Sequence, residues 1–185
     1  MDLPVRKKLS HTIPQWVSEG SWFFITINCE PRGKNQFCQT NGTHGVARPT
    51  NPEQVGLAIP CQPTQSPLTV TVGHQVLAAM AHNHDKLVWY CRLCLLMPDH
   101  LHAILAFPRE PGMKTVISNW KKFVAANSDV KWQRDFFDHR LRDNNELQEK
   151  TSYILMNPVR KALCERAEDW IWIYPPDNRP LPIFG

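Results

Sequence analysis

From residue 87 to residue 107 the chain reads LVWYCRLCLLMPDHLHAILAF, apolar almost throughout, broken by a Pro98-Asp99 corner and by two histidines. Apolar runs of this length on either side of a tight corner predict two strands paired as neighbours. SWFFITINC (21–29), rich in aromatic and β-branched residues, predicts another strand. Helical spacing appears at 68–86, where Val72, Val76, Leu77 and Met80 mark one stripe, and again at 111–128. In that second segment Met113, Val116, Ile117, Trp120 and Val124 form the stripe, and Lys114, Lys121 and Lys122 fall away from it. QRDFFDHRLR (133–142) reads as a short strand. Residues 144–163 read as a helix up to Pro158, where a helix must kink, end or restart. The order strand, helix, strand, strand, helix, strand, helix predicts an α+β fold, an antiparallel sheet with helices on one face.

A length of 185 residues fits a single domain over 1–185. Pro, Gly, Asn and Gln dominate 30–67, which reads as a long loop or an inserted hairpin, and a short tail at 173–185 stays unplaced. Cys29, Cys38, His44 and Cys61 fall in or beside that insertion, but their irregular spacing favours a plain loop over a zinc site. Cys91 and Cys94 form a CxxC inside a strand. Strand positions three apart face opposite sides, so the pair reads as two core residues rather than a shared metal site. No apolar run is long enough to span a membrane, and MDLPVRKKLS lacks a signal-peptide core. The expectation is a cytoplasmic protein with no membrane partner and reduced cysteines.

Charge changes the picture in one region. Residues 112–166 hold eleven Lys and Arg against seven Asp and Glu, an excess equal to the whole chain's net +4. Such a patch suits a polyanion, although a solvated helical surface would look the same. The histidines add chemistry. His100 and His102 are two apart on a strand and share a face, with Leu101, Ala103 and Leu105 on the other. Buried imidazoles need partners. A paired set suits Mn²⁺, Zn²⁺, Ni²⁺ or Fe²⁺, and a merely hydrogen-bonded pair is the alternative. Tyr153 and Asn157 lie four apart on one helical face. As plain structure, Tyr153 would be an amphipathic core residue and Asn157 the N-cap of a helix starting at Pro158.

MPDHLHAIL closely resembles the MPNHxHLL signature of the IS200-like tyrosine transposases of the HUH endonuclease superfamily. WQRDFFDHRLRDNNEL and YILMNPVRKAL resemble that family's next two blocks in the same order, and the chain looks most like the REP-associated tyrosine transposase branch. The resemblance covers roughly 20–172 apart from 30–67, and departs at Asp99, where the family often has Asn. It implies a ferredoxin-like single-strand DNA nuclease. Carried over residue by residue, it makes His100 and His102 metal ligands, Tyr153 the nucleophile, and Asn157 the residue completing the metal site.

The chemistry agrees. Two neutral imidazoles and an amide leave the charge of Mg²⁺ or Mn²⁺ intact and coordination positions open for phosphate oxygens. Tyrosine attack gives a 5′-phosphotyrosine and a free 3′-OH, so the step can reverse onto another strand. Lys114, Lys121, Lys122, Arg134, Arg140, Arg142, Lys150, Arg160 and Lys161 are the candidate phosphate contacts. Trp120 and Trp132 are candidate stacking partners, with Trp120 better explained by the core. The expected partner is single-stranded or hairpin DNA, at palindromic repeats, bound by a monomer or a homodimer. Two rivals remain: a non-catalytic or domesticated DNA-binding relative, and a metal-dependent hydrolase that uses water.

Overall fold

The computed structural model describes residues 15, 17–38 and 71–175. Within them run β1 (Trp22–Asn28), α1 (Val72–Asp85), β2 (Tyr90–Met97), β3 (His100–Ala106), α2 (Met113–Asn127), β4 (Phe137–Arg140), α3 (Asn144–Leu155), α4 (Asn157–Arg160) and β5 (Ile173–Tyr174). The five strands form one antiparallel sheet in the order β4-β1-β3-β2-β5. The first four reproduce the ferredoxin-like arrangement expected from the sequence, a βαββαβ unit with β1 and β3 at the centre. β5 is an added outer strand, built from the start of the tail the sequence left unplaced. His44 and Cys61, most of the 30–67 insertion and the end of the tail lie outside the described residues.

Strand pairing sets the two faces. Leu101, Ala103 and Leu105 of β3 stand opposite Ile27, Ile25 and Phe23 of β1 on one face. Phe107, just beyond β3, lies 6.2 Å from Phe23 and 6.3 Å from Trp89, ring to ring. The Trp89 ring lies 5.7 Å from Trp120 of α2, and its Nε1–H donates to the Met80 carbonyl of α1 at 3.2 Å. That side is the core under α1 and α2. On the other face His100 and His102 pair with Asn28 and Thr26 of β1 and with Met97 and Leu95 of β2. Helix α3 covers this second face, with Tyr153 6.0 Å from Phe24 and 5.7 Å from His102, ring to ring. Helices therefore pack on both faces, not on one as the element order suggested. The reason is legible in burial: β2 and β3 are buried along nearly their whole length, so both sides of the sheet need cover.

A second correction concerns the CxxC. Cys91 stands opposite Leu105 and Leu93 opposite Ile104, so Arg92 is an extra residue in a β-bulge. The bulge resets the alternation. Cys91 and Cys94 thus lie opposite Leu105 and Ala103, on the same face. Both are free and fully buried, as a core reading requires, and burial pushes both thiols up.

Close packing also explains Gly73. A Cβ there would sit 2.5 Å from the Phe37 carbonyl oxygen and 2.5 Å from the Trp172 ring, so α1 approaches its neighbours as only glycine allows. Asp143 caps α3, its side chain accepting from Glu146 N at 2.8 Å. Glu146 in turn accepts from Arg142 N at 2.8 Å and pairs with His139 Nε2.

Candidate active site

The site begins at the corner between β2 and β3. Because β3 is central and pleated, His100 and His102 point the same way, and their rings lie 4.8 Å apart. His102 Nδ1 is 2.9 Å from the Thr26 hydroxyl of the neighbouring strand, and its ring stacks on Phe24 at 5.4 Å. His100 Nδ1 is 2.6 Å from Asp99 Oδ1. Each histidine thus has Nδ1 engaged by a side chain, and Nε2 is the nitrogen left to bind something else. Burial holds His102 down to about 3, with the neighbouring cations adding to it, and burial also lowers His100. Both are therefore neutral imidazoles at physiological pH, the state that a metal requires.

Tyr153 arrives from the other layer. It lies on α3, is 38% exposed, and its ring stands T-shaped to both Phe24 and His102. The Arg160 guanidinium sits 4.3 Å from its ring centroid, and Lys150 Nζ lies 5.8 Å from it and 5.9 Å from Phe24. The charge of Arg160 also bears on His102, that of Lys161 on His100, and that of Arg32 on both. A tyrosine beside a neutral imidazole and several cations suits a phosphodiester, whose oxygens carry the negative charge.

Asn157 is placed differently from its plain-structure reading. Met156 occupies the N-cap position of α4, and no side-chain cap bond forms. Asn157 is the first residue of α4, with Pro158 beside it where the missing N–H costs nothing. It is 4% exposed, and its Nδ2 has no hydrogen-bond partner among the described residues. Nδ2 is a donor and calls for an acceptor, whereas the Oδ1 of the same amide is the atom able to ligate a cation. Among the described residues no group of three His, Cys, Asp or Glu side chains can hold a metal ion. A third protein ligand drawn from the described residues would then be of another type, and the Oδ1 of Asn157 is a candidate. It stands one turn beyond Tyr153 and just before Arg160 and Lys161, the cations that act on the two histidines.

The basic candidates divide. Lys150, Arg160 and Lys161 surround the site. Lys121 does not belong with them: it is buried, and its Nζ donates to the carbonyls of Gln133 at 2.6 Å and Arg134 at 3.0 Å. A long aliphatic stem let an off-stripe lysine turn inward and tie α2 to the segment before β4. Lys114 and Lys122 are exposed on α2, which packs on the sheet face opposite the histidines. Arg134 and Arg142 are exposed, and Arg140 pairs with Phe23 on the α2 side of the sheet. Trp120 is core, and Trp132 packs against Phe37 and Trp120 at 5.6 and 5.4 Å, so neither is a free stacking platform. Sequence reasoning missed Thr26, Asp99 and Arg32. Thr26 is visible only through strand register. Asp99 reads as a corner residue, and Arg32 sat in the segment taken as loop.

No protein-family model matches the chain. A putative REP-associated tyrosine transposase of Haemophilus influenzae is 28% identical, the match covering 50% of this chain and 69% of that protein. A REP-associated tyrosine transposase of Escherichia coli K12 is also 28% identical, over 41% of this chain and 48% of the relative, so the chain spans about half of that protein. Among solved structures, a REP-associated tyrosine transposase bound to a REP hairpin superposes with a TM-score of 0.58 at 17% identity, over 87% of this chain and 80% of the other. That likeness shows the fold, and the curated relatives bear out the family resemblance read from the three sequence blocks.

Proposed function

We propose that this chain is a transposase of the REP-associated tyrosine kind, a metal-dependent single-strand DNA endonuclease and strand transferase acting at hairpin or palindromic repeats. The observation that carries the reading is the meeting of Tyr153 and His102, 5.7 Å apart ring to ring, on a helix and a strand that pack from opposite layers. Tyr153 and the histidines are brought together by tertiary packing and not by sequence, which a coincidental pair of motifs would not produce.

The Tyr153 hydroxyl attacks the phosphorus in line with the 3′ oxygen. The new bond joins tyrosine to the 5′ phosphate, the P–O3′ bond breaks, and the phenolic proton is lost as the leaving 3′ oxygen gains one. Arg160 and Lys150, which flank the Tyr153 ring, hold the phosphate against the hydroxyl. His100, His102 and Asn157 would hold Mg²⁺ or Mn²⁺, which supplies positive charge to the phosphate oxygens and the departing 3′ oxygen when bound. Thr26 and Asp99 engage the Nδ1 atoms, which would leave each Nε2 to hold that ion. Because the phosphotyrosine keeps the energy of the broken bond, a second 3′-OH can reverse the step and join a new strand. The relatives' printed names, and the hairpin bound by the solved neighbour, support the choice of DNA partner.

The test is a nicking assay on an end-labelled single strand carrying a hairpin, resolved for covalent protein–DNA adduct beside a gel shift. The wild type should nick and form the adduct. Tyr153→Phe should lose both and still shift the DNA, because the ring contacts remain. His100→Ala, His102→Ala or a chelator should abolish nicking. Nicking by Tyr153→Phe without adduct would make the protein a hydrolase, and a wild type that shifts DNA without nicking would make it a binding protein.

A further inference from the structure

We propose that Asp99 and Arg32 act as a positioning pair, fixing which nitrogen of His100 carries the proton and where its other nitrogen points. The inference rests on His100 as a metal ligand, and it adds two residues that the family resemblance does not assign.

The carboxylate of Asp99 is divided between two tasks. Oδ1 lies 2.6 Å from His100 Nδ1. Oδ2 accepts from Gly33 N at 2.7 Å and pairs with Arg32 Nε at 3.3 Å. Arg32 in turn donates through Nη1 to Asn28 Oδ1, and Asn28 is the β1 residue registered opposite His100. Side-chain contacts thus run in series from Asn28 through Arg32 and Asp99 to His100. Backbone bonds hold the frame, with Cys29 N donating to Asp99 O at 2.8 Å and Gln36 N to Pro98 O at 2.7 Å. The segment after β1 is thus tied to the β2–β3 corner, and Asp99 cannot swing away from the imidazole.

A carboxylate that already receives Gly33 N–H and a guanidinium is an acceptor only. The proton on neutral His100 must then sit on Nδ1, which leaves the Nε2 lone pair free. Without Asp99 the imidazole would be free to rotate and to carry its proton on Nε2, which blocks coordination. Arg32 gives the idea a distinctive sign. A guanidinium beside two ligand histidines repels a divalent cation by Coulomb's law. If Arg32 acted through charge alone, removing it would tighten metal binding. As a brace for Asp99, its removal weakens binding.

The test uses the full chain with ¹⁵N-labelled histidine and no DNA. Long-range ¹H–¹⁵N spectra at neutral pH read the His100 tautomer, with the signal assigned by its loss in His100→Gln. Calorimetry with Mn²⁺ reads affinity. The wild type should show protonated Nδ1. Asp99→Ala should shift the proton toward Nε2 and weaken Mn²⁺ binding by about 10- to 100-fold. Arg32→Ala should weaken Mn²⁺ binding several-fold with the thermal midpoint nearly unchanged. Retention of the Nδ1 proton in Asp99→Ala, or tighter Mn²⁺ binding by Arg32→Ala, would overturn the proposal. Arg32 is half exposed, so its variant decides the matter if Asp99→Ala does not fold. The spectra need no metal: a wild type that binds no Mn²⁺ would defeat the proposed function, while the tautomer still judges this pair.

Discussion

His102 should make the protein lose stability in mild acid, well above the pH at which the folded imidazole is itself protonated. Its folded value is about 3, against an ordinary 6.5, chiefly because burial penalises the charged ring. Between those two values the unfolded chain binds a proton that the folded chain refuses. Stability therefore rises with pH across the window and is lost as pH falls from 6.5 toward 3. One proton is worth about 1.4 kcal/mol per pH unit. At about pH 5 the loss from His102 is about 2 kcal/mol, and near pH 3 it reaches about 4 kcal/mol. For a domain whose total stability is of order 5–15 kcal/mol, that is a large share. His100, also lowered by burial, adds in the same direction. His102→Gln keeps a polar group near the Thr26 hydroxyl but cannot titrate. Urea unfolding at about pH 7.5 and about pH 5 should show the wild type losing about 2 kcal/mol more than the variant. Equal losses in the two proteins would refute the argument and place the proton on other groups. The same depressed value carries a functional corollary: the imidazole keeps its lone pair for a metal well below the pH at which an exposed histidine would surrender it.

Lys121→Ala should leave the Gln133 and Arg134 carbonyls without their shared donor and cost about 1 kcal/mol by urea unfolding, with DNA affinity unchanged once the protein is folded. Arg160→Ala should do the reverse, sparing stability but weakening DNA binding and reducing the salt slope of the binding constant by about 1. Gly73→Ala should cost about 1–3 kcal/mol in thermal unfolding, because its Cβ would overlap the Phe37 carbonyl and the Trp172 ring. Asn157→Ala should raise the Mn²⁺ midpoint of cleavage, with extra Mn²⁺ restoring part of the rate and no loss of a helix cap, since Met156 is the N-cap. An unchanged midpoint would retire Asn157 as a ligand.

Much of this was open to reading along the chain. The alternation around HLHAIL put the two histidines on one face, and the turn of helix between Tyr153 and Asn157 put them near each other. What escaped reading depends on other segments. The argument that Cys91 and Cys94 face apart assumed an unbroken pleat, and the Arg92 bulge, set by pairing with β3, breaks it. The second helical layer followed from burial of both sheet faces, which a continuous apolar run permits but does not demand. Lys121 looked solvent-facing because periodicity places Cα atoms, while its ammonium group is four carbons away. Arg32 and Asp99 are 67 positions apart and meet only because the loop after β1 folds onto the β2–β3 corner.

The bulge in β2 leaves the protein with a built-in clock. Cys91 and Cys94 sit side by side under the helices on an inner strand, protonated and out of reach of any reagent while the sheet is intact. Cys38 and Cys164 are only half buried. A thiol-modifying reagent should therefore mark the outer pair promptly and the inner pair only when β2 parts from β3; in a Cys29→Ala background, which removes the other buried thiol among the described residues, the slow phase of labelling times the opening of the strand that carries the histidines.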